Sequence, residues 1–370
     1  MKVDNEKIES TLKILADSFQ KFLYEDDEYF LENMKSKNLA GDDVSRYQHW
    51  EWTQGVGLYG LLQMYEETGK EEYLAFLNQF YEKEISLGLP AKNINTTAPL
   101  LPLSFILKEK ENPTYRKVCH EWAEAIMKDF VRTKEGGFTH RTSDSENDQE
   151  LWDDTLFMTV MFLASMGEIE DNDEYRQEAR YQFLLHIKYL VDHKTGLLFH
   201  GWTFKGNHNF AEALWGRGNC WFTMAVPEYL SIAKVEGADR RFLIEALNAQ
   251  VEALEKYQDE SGMWHTLVDD ATSYVETSAT CGFAYGILKA VRMGLIDPRY
   301  KEVALKALDP VLANIAEDGT VNQVSYGTPM GRESKDFYKQ IEIKPMPYGQ
   351  ALAMLFLLEV LKAFFQEQYT

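Results

Sequence analysis

The chain has 370 residues, with 38 basic against 59 acidic side chains and a net charge of −21. Without a basic face to neutralise phosphates, no nucleic-acid partner is expected. A content of 45% hydrophobic and 13% aromatic residues argues against disorder and allows a large core. Three scattered cysteines (Cys119, Cys220 and Cys281) offer neither a disulfide framework nor a Cys/His zinc motif.

The N-terminus shows no apolar segment of secretory type, and no run approaches the roughly 18 apolar residues of a membrane span. A soluble cytoplasmic protein with no membrane partner is expected. No Pro/Gly/Ser-rich linker interrupts the chain, so residues 1–370 read as one domain. The acidic outer layer gives no reason for a large assembly, so a monomer or small homo-oligomer is expected.

In chain order, apolar spacings of three and four residues predict helices near 5–23, 50–68, 70–87, 95–110, 113–133, 151–167, 173–193, 211–235, 238–258, 275–294, 298–315 and 346–367. Pro113, Asp173 and Pro298 stand at first turns, where proline and acidic residues favour a helix start. Segments 70–87, 113–133, 173–193, 238–258 and 298–315 are amphipathic and suit an outer layer with one wet face. Segments 151–167, 211–235, 275–294 and 346–367 are apolar around much of their circumference and suit an inner layer.

Four short units between helices share one plan: Glu135 to His140, Lys194 to His200, Glu260 to His265, and the stretch after Glu317. In each, a charged residue and a glycine make a turn, and an extended piece then presents a polar side chain. Gly137, Gly196, Gly262 and Gly319 recur at intervals of 59, 66 and 57 residues. Repeated helix pairs imply an array. The expected fold is all-α: a six-hairpin (α/α)6 toroid, with the short strands and a pocket at the inner-helix N-termini. An open solenoid of helix pairs is the alternative.

The candidate chemistry sits at those N-termini. Trp152-Asp153-Asp154 opens one inner helix just after His140. Acidic residues there suit the helix dipole as caps. A carboxyl against an aromatic wall in a closed pocket instead has a raised pKa and can deliver a proton. Adjacent residues diverge by about 100° on a helix, so one Asp can cap while the other faces the pocket. His200-Gly201-Trp202 ends a strand, and Trp215 to Trp221 opens the next inner helix with two glycines and Arg217. A buried Arg217 needs a partner, either Asp153 or an anionic or hydroxylated ligand. Tryptophan faces at this rim suit sugar rings. Tyr47, Asn93 and Asn95 lie at earlier helix starts, where an asparagine can also be a cap. Glu276 caps the fifth inner helix, and Lys344 precedes the sixth. No dinucleotide, P-loop, GxSxG or HExxH signature is present, and no cofactor or metal is expected.

At Leu151–Met158, His200–Trp202, Trp215–Trp221 and Glu276 to Asp297, the chain resembles the unsaturated rhamnogalacturonyl/glucuronyl hydrolases of glycoside hydrolase families 105 and 88. The resemblance runs in order from Tyr47 to near the C-terminus. It implies the same barrel and a reaction on lyase products, small oligosaccharides whose terminal uronate carries a C4=C5 double bond. One Asp protonates C4, water adds at C5, and the hemiketal opens to release the neighbouring sugar. The resemblance assigns the acid/base to Asp154. It assigns substrate contacts to His140, His200, Trp215, Arg217, Trp221 and the early aromatic Tyr47; Asn95, Trp152 and Trp202 complete the expected rim. Where the family often has Asp before the second inner helix, this chain has Asn93-Ile94-Asn95. Two alternatives stand beside this one. One is another toroid sugar enzyme, a 2-epimerase or ordinary glycosidase, using His140, His200 or His265 as proton carrier. The other is a carbohydrate-binding protein without chemistry.

Overall fold

In a computed structural model, the described residues are 4–24, 28–39, 41, 43, 46 and 49–365. The predicted segments form helices, some of them divided. In chain order these are α1 (Asn5–Phe22), α2 (Glu28–Lys37), α3 (Trp52–Thr68), α4 (Glu71–Leu87), α5 (Ile94–Thr97), α6 (Leu100–Glu109), α7 (Pro113–Lys128), α8 (Met161–Ile169), α9 (Asp173–Leu190), α10 (Gly216–Ile232), α11 (Gly237–Tyr257), α12 (Thr277–Arg292), α13 (Tyr300–Leu305), α14 (Leu308–Ala313), α15 (Asp336–Lys339) and α16 (Pro347–Phe365). The periodicity did not reveal α2 or α15. The segment expected to be one helix over 95–110 is broken by Pro99, which has no N–H to continue the ladder.

Outer and inner helices alternate along the chain. The inner ones touch in a closed ring, α3–α6–α8–α10–α12–α16 and back to α3. The outer ones (α1, α4, α7, α9, α11 and the pair α13–α14) each lean on the ring from outside. This is the (α/α)6 toroid, and ring closure rules out the open solenoid. Inner-helix residues are buried on every side: Gly216 to Tyr229 of α10 contains no exposed position. One core cluster runs from Ile8 to Leu361.

Among the described residues, one helix, Pro347–Phe364, is apolar and long enough to cross a membrane, although no such run was expected. It is the inner helix α16, and 78% of it is buried in the ring.

Low on the inner helices, Glu228 is 1% exposed. It pairs with Lys289 at 2.6 Å and accepts hydrogen bonds from Tyr59 (2.8 Å) and Tyr285. A buried carboxylate is tolerated only with such partners.

The short strands lie at the opposite, N-terminal end of the inner helices. β1 (Glu150–Trp152) pairs antiparallel with β2 (Gly201–Thr203), and β3 (Trp264–His265) with β4 (Val275–Glu276). The repeated turns use positive-φ glycines at Gly196, Gly262 and Gly319 (φ 84°, 89° and 84°); the first repeat uses Gly136 (φ 80°) rather than Gly137.

Residues 151–167 are not one helix from the start. β1 leads into Asp153-Asp154-Thr155 and then a π-helical turn, Leu156–Val160, before α8. Such widened turns are enriched at functional sites.

Candidate active site

A cavity of about 830 Å³ opens at this end of the ring, within the usual range of about 300–1,000 Å³ for small-molecule sites. Five of the six inner-helix starts contribute to its wall: Trp52 at the first position of α3, Asn95 before α6, Asp154 before α8, Arg217 on α10 and Tyr348 on α16. The start of α12 does not. There Glu276 accepts backbone N–H bonds from Ser278 (3.0 Å) and Ala279 (2.6 Å), the expected cap, and is 1% exposed. Helix α2 contributes Leu31 and Met34, and the loop from Tyr326 to Met330 forms a further wall.

His140, Trp152, Asp154 and Trp215 all reach the cavity, as the sequence predicts. His140 stacks on Trp152 at 4.4 Å with 7° between the planes. Trp152 meets the edge of His200 at 5.1 Å, and its indole N–H donates to Glu150 (3.0 Å), itself held by Arg332 (2.7 Å). His200 is 1% exposed and lies behind the wall, with Nε2 3.5 Å from Asp154 Oδ2. Its Nδ1 is 2.6 Å from the Tyr338 hydroxyl, which already accepts the Gly331 N–H at 3.0 Å. The phenol also reaches Met330 Sδ at 3.7 Å; when it donates to Nδ1 instead, the His200 proton sits on Nε2, on the side of Asp154.

Burial depresses both imidazoles: His140 falls to about 4, and His200 is lowered as well, although Asp154 opposes the shift in each. Both rings are neutral at pH 7.

The two aspartates differ in a way the sequence did not predict. The aromatic wall was expected to raise the pKa of Asp154. Burial does oppose its ionisation, but the hydrogen bond and charge of His200, then His140 and Asp153, outweigh it and hold Asp154 at about 2. The raised carboxyl is Asp153, which is pushed well above the usual range by burial first and by the Asp154 charge second. Asp153 is 0% exposed, and neither of its oxygens has a hydrogen-bond partner among the described residues. Asp153 is thus neither the helix cap nor the partner of Arg217 that the sequence allowed.

Arg217 is also corrected in part. It lines the cavity, but four of its five N–H groups are engaged by the loop above it. Nη1 donates to the Ser325 carbonyl (2.9 Å) and hydroxyl (2.5 Å); Nη2 donates to the Tyr326 carbonyl and the Thr328 hydroxyl, both at 3.1 Å. Its plane lies between Trp215 (4.7 Å) and Tyr348 (4.8 Å). The guanidinium builds the wall and is not a free anion receptor.

Two expected substrate contacts lie elsewhere. Trp202 pairs with Leu151 across β1–β2, so alternation sends it to the face opposite Trp152. It packs there on Tyr189 (5.1 Å) and Phe204. Trp221 is one turn below Arg217 on α10, is 0% exposed, and is covered by Trp52 and Phe157. Tyr47 lies outside the described residues. The asparagines divide their roles. Asn93 caps α5 through Asn95 N–H (3.0 Å) and Thr96 N–H (3.1 Å), while Asn95 faces the cavity. His265 is held by Ser273 (2.6 Å) and Asp259 (3.3 Å) and does not line the cavity.

Sequence reasoning gave no role to Glu51, Tyr338 or Tyr348. Glu51 lines the cavity and caps α3, and burial lifts its carboxyl to about 8. The aromatic-rich starts Trp50-Glu51-Trp52 and Pro347-Tyr348 were the available signal for Glu51 and Tyr348. Tyr338 comes from α15 and carried none.

A toroid with an acid, two neutral imidazoles and tryptophan faces around one sugar-sized cavity defines a glycoside-processing enzyme. The family model for Glycosyl Hydrolase Family 88 matches residues 27–364, and the chain belongs to that family. It is 32% identical over 316 residues to the unsaturated rhamnogalacturonyl hydrolase YesR of Bacillus subtilis, covering 85% of this chain and 90% of that one. A crystal structure from Klebsiella pneumoniae, described as a possible member of glycoside hydrolase family 105, superposes with a TM-score of 0.91 at 41% identity, covering 99% of this chain and 95% of that one. A Salmonella enterica structure of the same description also gives 0.91, at 42% identity, covering 99% and 96%.

Proposed function

We propose that this enzyme hydrolyses short unsaturated uronyl oligosaccharides, the products of polysaccharide lyases, with Asp154 as acid and then base. The observation that carries the proposal is Asp154 itself. It is the carboxyl that reaches the cavity beside Trp152, with its Oδ2 3.5 Å from Nε2 of His200. The protonated carboxyl adds its proton to C4 of the enol ether. Positive charge then develops at C5 and the ring oxygen. The Asp154 carboxylate takes a proton from water as the oxygen bonds to C5, and the hemiketal opens to release the next sugar. One group working in both directions suffices, unlike hydrolysis at the anomeric carbon with two carboxyls.

Trp152 and Trp215 provide apolar faces for the sugar rings, and Asn95 offers an amide to a hydroxyl. The uronate carboxylate needs a cation. Arg217 and Arg332 are engaged by protein groups; of the two lining lysines, Lys37 and Lys344, the latter stands over the Tyr326 ring at 4.3 Å, in the loop that holds Arg217, and is the proposed partner.

Asp154→Asn should lower turnover by about 10²-fold or more, followed as loss of the double-bond absorbance of an unsaturated disaccharide, with the far-ultraviolet spectrum unchanged. Undiminished turnover would exclude the mechanism. The 2-epimerase alternative loses one of its proton carriers, because His265 lies off the cavity.

A further inference from the structure

Asp153 has no place in the mechanism above, yet the site is built around it. Its side chain is fully buried, and both oxygens lack a hydrogen-bond donor among the described residues. Its backbone N–H is fixed to the His200 carbonyl at 3.1 Å. The carboxyls of Asp153 and Asp154 and the ring of His200 each bring one polar atom within 4.8 Å of the others.

The facing helix is shaped to admit this group. A Cβ on Gly218 would stand 2.4 Å from Asp153 Oδ2 and 2.7 Å from Oδ1. Only a glycine leaves room for the carboxyl, which accounts for the second glycine of Trp215-Gly216-Arg217-Gly218. An acid sealed in this way beside the Asp154 charge, with only backbone N–H groups of its own segment to favour its anion, keeps its proton.

We infer that Asp153 is the proton store of the active site: it holds the one proton shared by the two aspartates and passes it to Asp154 for delivery to the substrate. The inference rests on the proposed function for its chemical step. In the resting pair Asp153 is the acid and Asp154 the carboxylate. When the alkene arrives, the proton moves from Asp153 to Asp154, and the Asp154 O–H breaks as the C4–H bond forms. Water then gives a proton to Asp154 as its oxygen bonds to C5, and that proton returns to Asp153. The cycle consumes only water.

Asp153 thereby solves a specific difficulty, since the His200 hydrogen bond favours the Asp154 carboxylate against its burial and leaves that acid short of a proton. The titratable groups around Asp153 are Asp154 on its own segment, His200 and His140 from the strand elements, Cys220 and Arg217 on α10, and Tyr338 on α15. Asp153 acts through Asp154 and is a positioning residue.

Two readouts test this. The first is kcat/KM against pH on an unsaturated disaccharide. Asp153→Asn should move the alkaline limb at least one unit toward acid, about a tenfold loss at pH 8 with much less at pH 5. An equal loss at every pH would indicate a structural role and overturn the proposal. The second needs no turnover: infrared titration of protein labelled with 13C only in the aspartate carboxyls. One aspartic acid should remain protonated at pH 7 and disappear in Asp153→Asn. If that variant does not fold, Asp154→Asn carries the test and should retain the protonated aspartic acid. Complete ionisation of all aspartates at pH 7 overturns the proposal whether or not the substrate assignment is right. So does loss of activity on chelation with rescue by Mg2+ or Mn2+, which would assign the trio to a metal.

Discussion

Tyr338 and His200 are joined at 2.6 Å, although 138 residues separate them in the chain. The bond ties the short helix α15, in the loop region before the last inner helix, to the imidazole that faces the acid. With the phenol as donor, the imidazole proton sits on Nε2, on the side of Asp154.

Tyr338→Phe tests that tie. Without the hydroxyl, His200 Nδ1 loses its partner and the ring can adopt the other tautomer, presenting a bare Nε2 to the carboxylate. The expected outcome is a fall in kcat of about 10- to 100-fold, by analogy with groups that orient a functional histidine, with little change in KM. Loss of a buried hydrogen bond also costs about 1–3 kcal/mol, measured by denaturant unfolding.

Lys344→Met tests the uronate assignment. A charge-assisted contact is worth about 1.5–3 kcal/mol, so KM should rise about tenfold or more while kcat changes less. The parent enzyme's KM should increase with ionic strength, and the variant's should not.

Glu51 makes stability depend on pH. Its carboxyl rises from 4.5 to about 8 in the folded chain because burial opposes the charge. A raised value means the fold prefers the protonated form. That contribution is fully present below about 4.5 and is lost as pH rises through about 8. Thermal unfolding temperatures should therefore decline over this window, and Glu51→Gln should flatten the decline while preserving the oxygen that accepts the Trp52 N–H.

Lys289→Met tests the far end of the ring. It strips Glu228 of its only cationic partner among the described residues, leaving a carboxylate held by two tyrosine hydroxyls. Removing one member of a buried pair costs about 3–5 kcal/mol. Unfolding should show that loss, with KM for the disaccharide unchanged.

The barrel and much of its wall were legible along the chain because both depend on local pattern. A period of 3.6 residues with wet and dry stripes separates outer from inner helices, and the glycine turns place a polar residue at each inner-helix start. Trp152, Asp154 and Trp215 follow from that register. The pattern failed where neighbours in space decide. Trp202 and Trp221 looked like rim residues by composition, but strand alternation turned one to the outer face and a single helical turn sank the other into the core.

Composition and periodicity thus determined the all-helical ring, its alternation and the end at which a pocket opens, because hydrophobic burial on a helix is a nearest-neighbour matter. Tertiary structure alone decided the state of each ionisable group. Whether Arg217 is free, which aspartate keeps a proton and where the His200 hydrogen sits depend on Ser325, Gly218 and Tyr338. Electrostatics in a dry interior is set by atoms a few ångströms away, and chain folding brings those atoms from far along the sequence.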